Sequence, residues 1–213
     1  EIKKKINQNH LEKSYFFSGY DCDSLALDGI TDFIESFLPI FEKNRNGILE
    51  IRTKSIQIQK ILKYKPIENC IIAFSFTPDN ISKLIENKVP SVQRRINSMK
   101  KLADKGWKLG LRFDPIVPTC NFAKIYDNLF KTISSNIPME SIHSISFGMM
   151  RFPKKMFKKM MKENVTKRIT SLNFINENGI YSYPKETQTK LENIIVRKLK
   201  KYMDNIPIYN CKV

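Results

Sequence analysis

The feature that most restricts this chain is a repeated unit: an apolar stretch, a polar exit, then a segment with helical spacing. Apolar stretches at residues 14–18, 47–53, 69–77, 108–114 and 141–148 read as strands. Helical patterns follow them at 32–42, 56–64, 91–105, 121–134 and 154–162. In the first of these Phe33, Phe37, Leu38 and Phe41 share a face, and in the third Val92, Ile96, Met99 and Ala103 do. The run Cys-Ile-Ile-Ala-Phe-Ser-Phe at 70–76 lacks polar alternation, as a parallel strand covered on both faces would. Such alternation winds, through right-handed crossovers, into a parallel sheet or part of an α/β barrel. With 213 residues and 41% hydrophobic content the chain can bury the core this needs.

The rhythm is predicted to fill residues 1–165 and then to stop. Residues 169–175 and 179–183 read as a β-hairpin around Asn176-Glu177-Asn178-Gly179. A basic helix at 186–203 and a short strand at 207–211 complete a C-terminal appendage, residues 166–213, packed on the same domain. The expected fold class is therefore α/β, a parallel sheet or a partial (β/α) barrel with parallel strands, plus a C-terminal hairpin and helix.

Each strand leaves polar residues at its exit. These are Tyr20, Asp21, Cys22 and Asp23 after the first, Arg52 and Lys54 after the second, and Ser75 and Thr77 after the third. Arg112 and Asp114 follow the fourth, and Arg151 the fifth. In a parallel sheet the exits share one rim, the usual place for ligands. Cations and carboxylates mixed there suit an anionic or zwitterionic ligand; the alternative is a set of merely solvated turns.

The net charge of +16, from 37 basic against 21 acidic residues, points to polyanionic partners. The alternative is a compositional bias toward Lys, Ile and Asn. Cys22, Cys70, Cys120 and Cys211 match no metal-binding spacing, and His10 and His143 stand apart, so no self-contained metal site is expected. No apolar run is long enough for a membrane helix and no secretory pattern opens the chain, so free thiols and a cytoplasmic location are the expectation. The first residues, from Glu1, read as the end of a helix, which suggests a segment upstream.

Several segments, in order, resemble the later part of the spore photoproduct lyase family. They are Gly-Tyr-Asp-Cys-Asp-Ser-Leu-Ala-Leu-Asp-Gly-Ile-Thr at 19–31, Ile-Arg-Thr-Lys at 51–54 and Ala-Phe-Ser at 73–75. Leu-Arg-Phe-Asp-Pro-Ile at 111–116 and Ile-Ser-Phe-Gly-Met-Met-Arg-Phe-Pro at 145–153 continue the series, with Pro-Ser-Val-Gln-Arg-Arg-Ile at 90–96 ahead of the fourth strand. The resemblance runs from Tyr15 to the C-terminus.

That family belongs to the radical S-adenosylmethionine enzymes. The resemblance therefore implies a barrel of that type, S-adenosylmethionine and a [4Fe–4S] cluster as cofactors, and a reductant protein for the cluster. In the repair members a 5′-deoxyadenosyl radical abstracts hydrogen from a thymine dimer in DNA. The family's Cys-x3-Cys-x2-Cys cluster motif has no counterpart in this chain, and the resemblance places it upstream of Glu1.

Residue by residue, Lys54 falls where the family uses a lysine on the methionine carboxylate, a role that suits a cation at a strand end. Ser75 falls on a serine that contacts the cofactor, and Cys22 where a second serine would stand. Asp114, on the same rim, is a further cofactor-binding candidate, and Arg151 a substrate-binding one. Tyr20 occupies the position of the lyases' hydrogen-donating cysteine, with Cys22 two residues on as the other catalytic candidate.

The helix at 154–162 carries Lys154, Lys155, Lys158, Lys159 and Lys162, suited either to phosphate contact or to a solvated face. The hairpin aromatics Phe174, Tyr181 and Tyr183 resemble the element by which the lyases engage a DNA lesion. They suit either base stacking or ordinary hairpin packing. The implied function is DNA-photoproduct repair or related radical chemistry on DNA or a nucleotide-like substrate. Two alternatives stay open: a non-enzymatic basic module that binds nucleic acid, and a radical enzyme on a non-nucleic substrate.

Overall fold

The computed structural model describes residues 1–8, 13–19, 22–162 and 173–212. Its main sheet has six parallel strands in the order β1-β2-β3-β4-β5-β9, curled into a half-barrel. The strands are β1 (Ser14–Ser18), β2 (Gly47–Thr53), β3 (Cys70–Ser75), β4 (Lys108–Ile116), β5 (Ile142–Met149) and β9 (Ile208–Asn210). The first five lie beside one another in sequence order, as short right-handed crossovers require. The sixth comes from the C-terminal appendage and pairs with β5 through Ile145↔Ile208 and Phe147↔Asn210. The final strand thus completes the main sheet.

Among the described residues the helices are α1 (Ile2–Gln8), α2 (Asp28–Thr31), α3 (Phe33–Lys43), α4 (Gln59–Lys63), α5 (Asp79–Ile85), α6 (Val92–Asp104), α7 (Phe122–Ser134), α8 (Lys154–Lys162) and α9 (Lys185–Met203). Besides α2, which no pattern predicted, two depart from expectation. The helix expected at 56–64 is cut to α4, because Ser55 N donates to Thr53 Oγ1 and Gln57 N to Ser55 Oγ. Those local side-chain bonds offer the backbone an alternative to helix. Helix α5, behind Pro78, had no clear periodic signal.

One face of the sheet carries the core. Leu49 and Ile51, Ile72 and Phe74, Leu109, Leu111 and Phe113, and Ile145 and Phe147 alternate along their strands and are all nearly inaccessible. Phe113 meets Phe130 of α7 edge-on at 4.9 Å. Helix α9 adds Leu191, Ile195, Leu199 and Met203, four apart and therefore on one face. It is latched to α7 by Lys198 and Tyr202, which donate to Asp127 at 2.8 and 3.0 Å. Each large apolar side chain so buried contributes about 1.5–3 kcal/mol.

A second sheet stands past the β5 exit. Strand β6 (Arg151–Pro153) pairs antiparallel with β8 (Ile180–Ser182), which pairs with β7 (Ile175–Glu177). The hairpin turn is Asn178-Gly179, with φ of 50° and 85°. Two positive values in succession suit a tight two-residue turn of Asn-Gly type. Asn176 and Glu177, expected in the turn, are paired strand residues instead. Most of the first strand expected at 169–175 lies outside the described residues. Helix α8 leans on this sheet through Phe157, which stacks on Tyr181 at 4.1 Å and meets Phe152 and Phe174. Its lysines are exposed.

Candidate active site

The other face of the sheet is built differently. The alternate positions are Glu50 and Arg52 on β2, Ala73 and Ser75 on β3, Gly110 and Arg112 on β4, and Ser144 and Ser146 on β5. Small residues keep this face low, and three long charged ones cross it. Glu50 is the centre: it accepts from Arg112 Nη2 at 2.7 Å, Arg112 Nε at 3.0 Å and Arg52 Nε at 2.8 Å. Arg112 spends its other donors on the Ser144 carbonyl and hydroxyl and the Leu111 carbonyl, each at 3.0 Å. It can lie flat only because position 110 is glycine: a Cβ there would sit 2.9 Å from Arg112 Nη2 and 3.0 Å from Ala73 Cβ. Arg112, expected among the rim cations, is thus a buried cross-tie between strands.

Burial pushes the Glu50 carboxyl up, but the bonds and charges of Arg112 and Arg52 outweigh it and hold the group below its ordinary value of 4.5. The sign follows from linkage. A depressed folded pKa adds stability that is present above the unfolded value and is lost as pH falls through the folded one. Glu86 is lowered likewise, its burial outweighed by Lys54, Ser82 and Arg95. The expected result is a denaturation midpoint that holds from neutral pH to about 5 and declines on further acidification. Urea titrations across that range check it, and a midpoint that rises in acid would contradict it.

At the strand exits the polar residues sort into three groups. Asp23 is a latch: Oδ1 accepts from Leu25 N, Ala26 N and Thr53 Oγ1, and Oδ2 from Lys54 N at 2.6 Å. It ties the exit of β1 to that of β2 and has little capacity left for a ligand. Gly19 makes the turn possible, with φ of 80° and a would-be Cβ 2.5 Å from the Arg52 carbonyl.

The second group surrounds Lys54. Its ammonium donates to Glu86 Oε1 at 2.6 Å, and the lysine side chain is 31% exposed. Ser75, the other cofactor candidate, ends β3 next door, half-buried, with its carbonyl bonded by Arg95. The third group is Asp114 and Arg151, paired at 3.0 Å between the exits of β4 and β5, with Arg151 also donating to the Met149 carbonyl.

Of the remaining candidates, Cys22 is exposed in the loop after β1, and Tyr20 and Asp21 lie outside the described residues. Tyr181 has one ring face covered by Phe157. Tyr183 is only 2% exposed and stacks on Phe174 at 4.9 Å. Its ring packs in the hydrophobic core just past β8. The pattern reading missed Glu50, Glu86 and Arg95. Glu50 had a signal, a lone acid between Leu49 and Ile51 in a buried strand; Glu86 had none.

The chain matches the family model described as spore photoproduct lyase over residues 1–210. The spore photoproduct lyase of Bacillus subtilis (strain 168) is 23% identical over 220 residues, which cover 98% of this chain and 64% of that protein. The enzyme of that name from Clostridium acetobutylicum is 24% identical over 115 residues, 54% of this chain and 34% of its own length. The chain thus spans less than two thirds of these relatives. Among solved structures, a cysteine-to-alanine variant of spore photoproduct lyase aligns with a TM-score of 0.88 at 19% identity, over 98% of this chain and 64% of that one. A spore photoproduct lyase complexed with dinucleoside spore photoproduct aligns at 0.86 and 19% identity, with the same coverage. A double variant with bound AdoMet and the same dinucleoside aligns at 0.85 and 19% identity, covering 97% of this chain and 64% of that one.

Proposed function

This chain belongs to the spore photoproduct lyase family, and from that premise we propose that it carries the later βα units of a radical S-adenosylmethionine enzyme that repairs a thymine photoproduct in DNA. The observation that carries the reading is the family match over nearly the whole chain. A half-barrel with a polar inner face and cation-bearing strand exits agrees with it. The relatives' structures with AdoMet and with dinucleoside spore photoproduct supply the ligand classes.

The residues present fit S-adenosylmethionine. Ser75 offers a hydroxyl at the end of β3, and Lys54 offers an ammonium to a carboxylate at the rim. Lys54 and Ser75 would hold the cofactor, which when bound supplies the radical that abstracts hydrogen from the substrate. The cluster is a different matter. Among the described residues no group of three His, Cys, Asp or Glu side chains could hold a metal, and none of them is assigned to the cluster. Cys22 at the β1 exit and Asp114 stay cofactor-binding candidates, and Arg151, paired with Asp114, would face the substrate.

The DNA partner rests on charge. Helix α8 has five lysines and no acid, and follows Arg151 after two residues. Its lysines would bond backbone phosphates beside the mouth.

The test is S-adenosylmethionine cleavage by the anaerobically reconstituted, cluster-loaded protein. It would be run with ultraviolet-damaged spore-type DNA, with undamaged DNA and with none. Cleavage stimulated by the lesion and accompanied by its repair is expected. Salt-sensitive DNA binding without cleavage would replace this reading with that of a basic binding module. Cleavage indifferent to DNA would move the substrate outside nucleic acid.

A further inference from the structure

Lys54 and Ser75 leave different strands, yet two buried side chains join them: Lys54 bonds Glu86, Glu86 pairs with Arg95, and Arg95 bonds the Ser75 carbonyl. Glu86 follows α5 and is nearly inaccessible, with 5% of its side chain exposed. Its Oε1 accepts from Lys54 Nζ at 2.6 Å and Thr77 Oγ1 at 3.0 Å. Its Oε2 accepts from Ser82 Oγ at 2.5 Å and Arg95 Nη2 at 3.4 Å. Arg95, on α6, is fully buried. It donates Nη1 to the Ser75 carbonyl at 2.6 Å and lies 5.5 Å over the Phe76 ring.

A buried guanidinium needs a carboxylate, and Glu86 supplies it. That role alone would leave Lys54 free to point into solvent. The carboxylate instead spends its shortest charged contact on Lys54, a side chain with four rotatable bonds that loses much freedom when fixed. A lysine already held in one rotamer binds a carboxylate without that loss.

We propose that Glu86 and Arg95 form a positioning bridge that fixes the Lys54 ammonium against the end of β3 and so sets the site for the amino-acid head group of S-adenosylmethionine. The inference rests on the reading of Lys54 as a cofactor ligand. Glu86 and Arg95 are positioning residues; neither reaches the cofactor. The bridge acts on the head group and leaves the nucleoside end of the cofactor unaffected.

The test is equilibrium binding of two ligands to the cluster-loaded protein. One is S-adenosylmethionine; the other is methylthioadenosine, which has the nucleoside without the amino-acid head. In Glu86→Gln the side chain keeps its shape and loses its charge. S-adenosylmethionine is expected to bind about tenfold more weakly, with methylthioadenosine unchanged. The double variant with Lys54→Ala is expected to bind no worse than Lys54→Ala alone, because the two act through one contact.

Ser82→Ala is a milder variant that loosens Glu86 without removing its charge, and keeps the question answerable if Glu86→Gln folds poorly. It is expected to weaken S-adenosylmethionine two- to threefold and to leave methylthioadenosine unchanged. Equal losses for both ligands would mean a purely structural role and overturn the proposal. Tighter S-adenosylmethionine binding in Glu86→Gln would mean that Glu86 only competes for Lys54, and overturns it too. If Lys54→Ala weakens binding but Glu86→Gln and Ser82→Ala do not, the bridge alone fails. If Lys54→Ala has no effect, the cofactor role of Lys54 fails with it.

Discussion

Glu50→Ala is expected to destabilise the protein by about 3–5 kcal/mol, the usual cost of leaving one partner of a buried ion pair alone. The reason lies in what stays behind. Arg112 has only 6% of its side chain exposed and would keep two bonds to Ser144 but no counter-charge. Arg52, now held on the same carboxylate, would face it as a like charge. For a chain of this size the loss corresponds to a fall in melting temperature of roughly 10 °C. Chemical denaturation at pH 7 measures it. Replacing both partners together, as Glu50→Met with Arg112→Met, removes the unpaired charge and should recover most of the loss. A single variant as stable as the wild type would show that water reaches the pair and that the inner face is not dry.

The same pair shows how far the sequence could be read. The five early strands were visible because each is a local run of apolar residues; their alternation with helices left a parallel sheet or part of a barrel, and the resemblance chose the barrel. Arg112 was visible only as a cation near a strand exit, because its partner is 62 positions away and proximity across a sheet is not a local property. A sharper reading was available: Glu50 sits between Leu49 and Ile51, and Arg112 between Leu111 and Phe113. Charges inside strands covered on both faces must find each other.

The hairpin illustrates a different limit. Tyr181 and Tyr183 share a face by the strand's period of two, but period alone does not say whether that face meets a ligand or Phe157 and Phe174. The Lys54 position came from resemblance, and the sequence had no sign of the carboxylate beneath it. Glu86 follows a short helix that lacked a recognisable pattern.

Lys54→Ala is expected to separate function from stability, the opposite of Glu50→Ala. A charge-assisted bond to a carboxylate contributes about 1.5–3 kcal/mol. Its loss should raise the dissociation constant for S-adenosylmethionine roughly 10- to 100-fold and lower cleavage at limiting cofactor to match. Stability should move by no more than ~1 kcal/mol, because Lys54 is 31% exposed and such pairs contribute little. Glu86 would still have Arg95, Thr77 and Ser82, so no buried charge is stranded. The direction of the ion pair explains the asymmetry: Glu86 needs Arg95 for the fold, whereas Lys54 needs Glu86 only to be held in place. Isothermal titration with S-adenosylmethionine and a thermal melt on the same sample check both halves. A large drop in melting temperature with unchanged cofactor affinity would make Lys54 a structural residue and move the carboxylate-binding role elsewhere on the rim, with Arg52 the nearest cation on β2 to test.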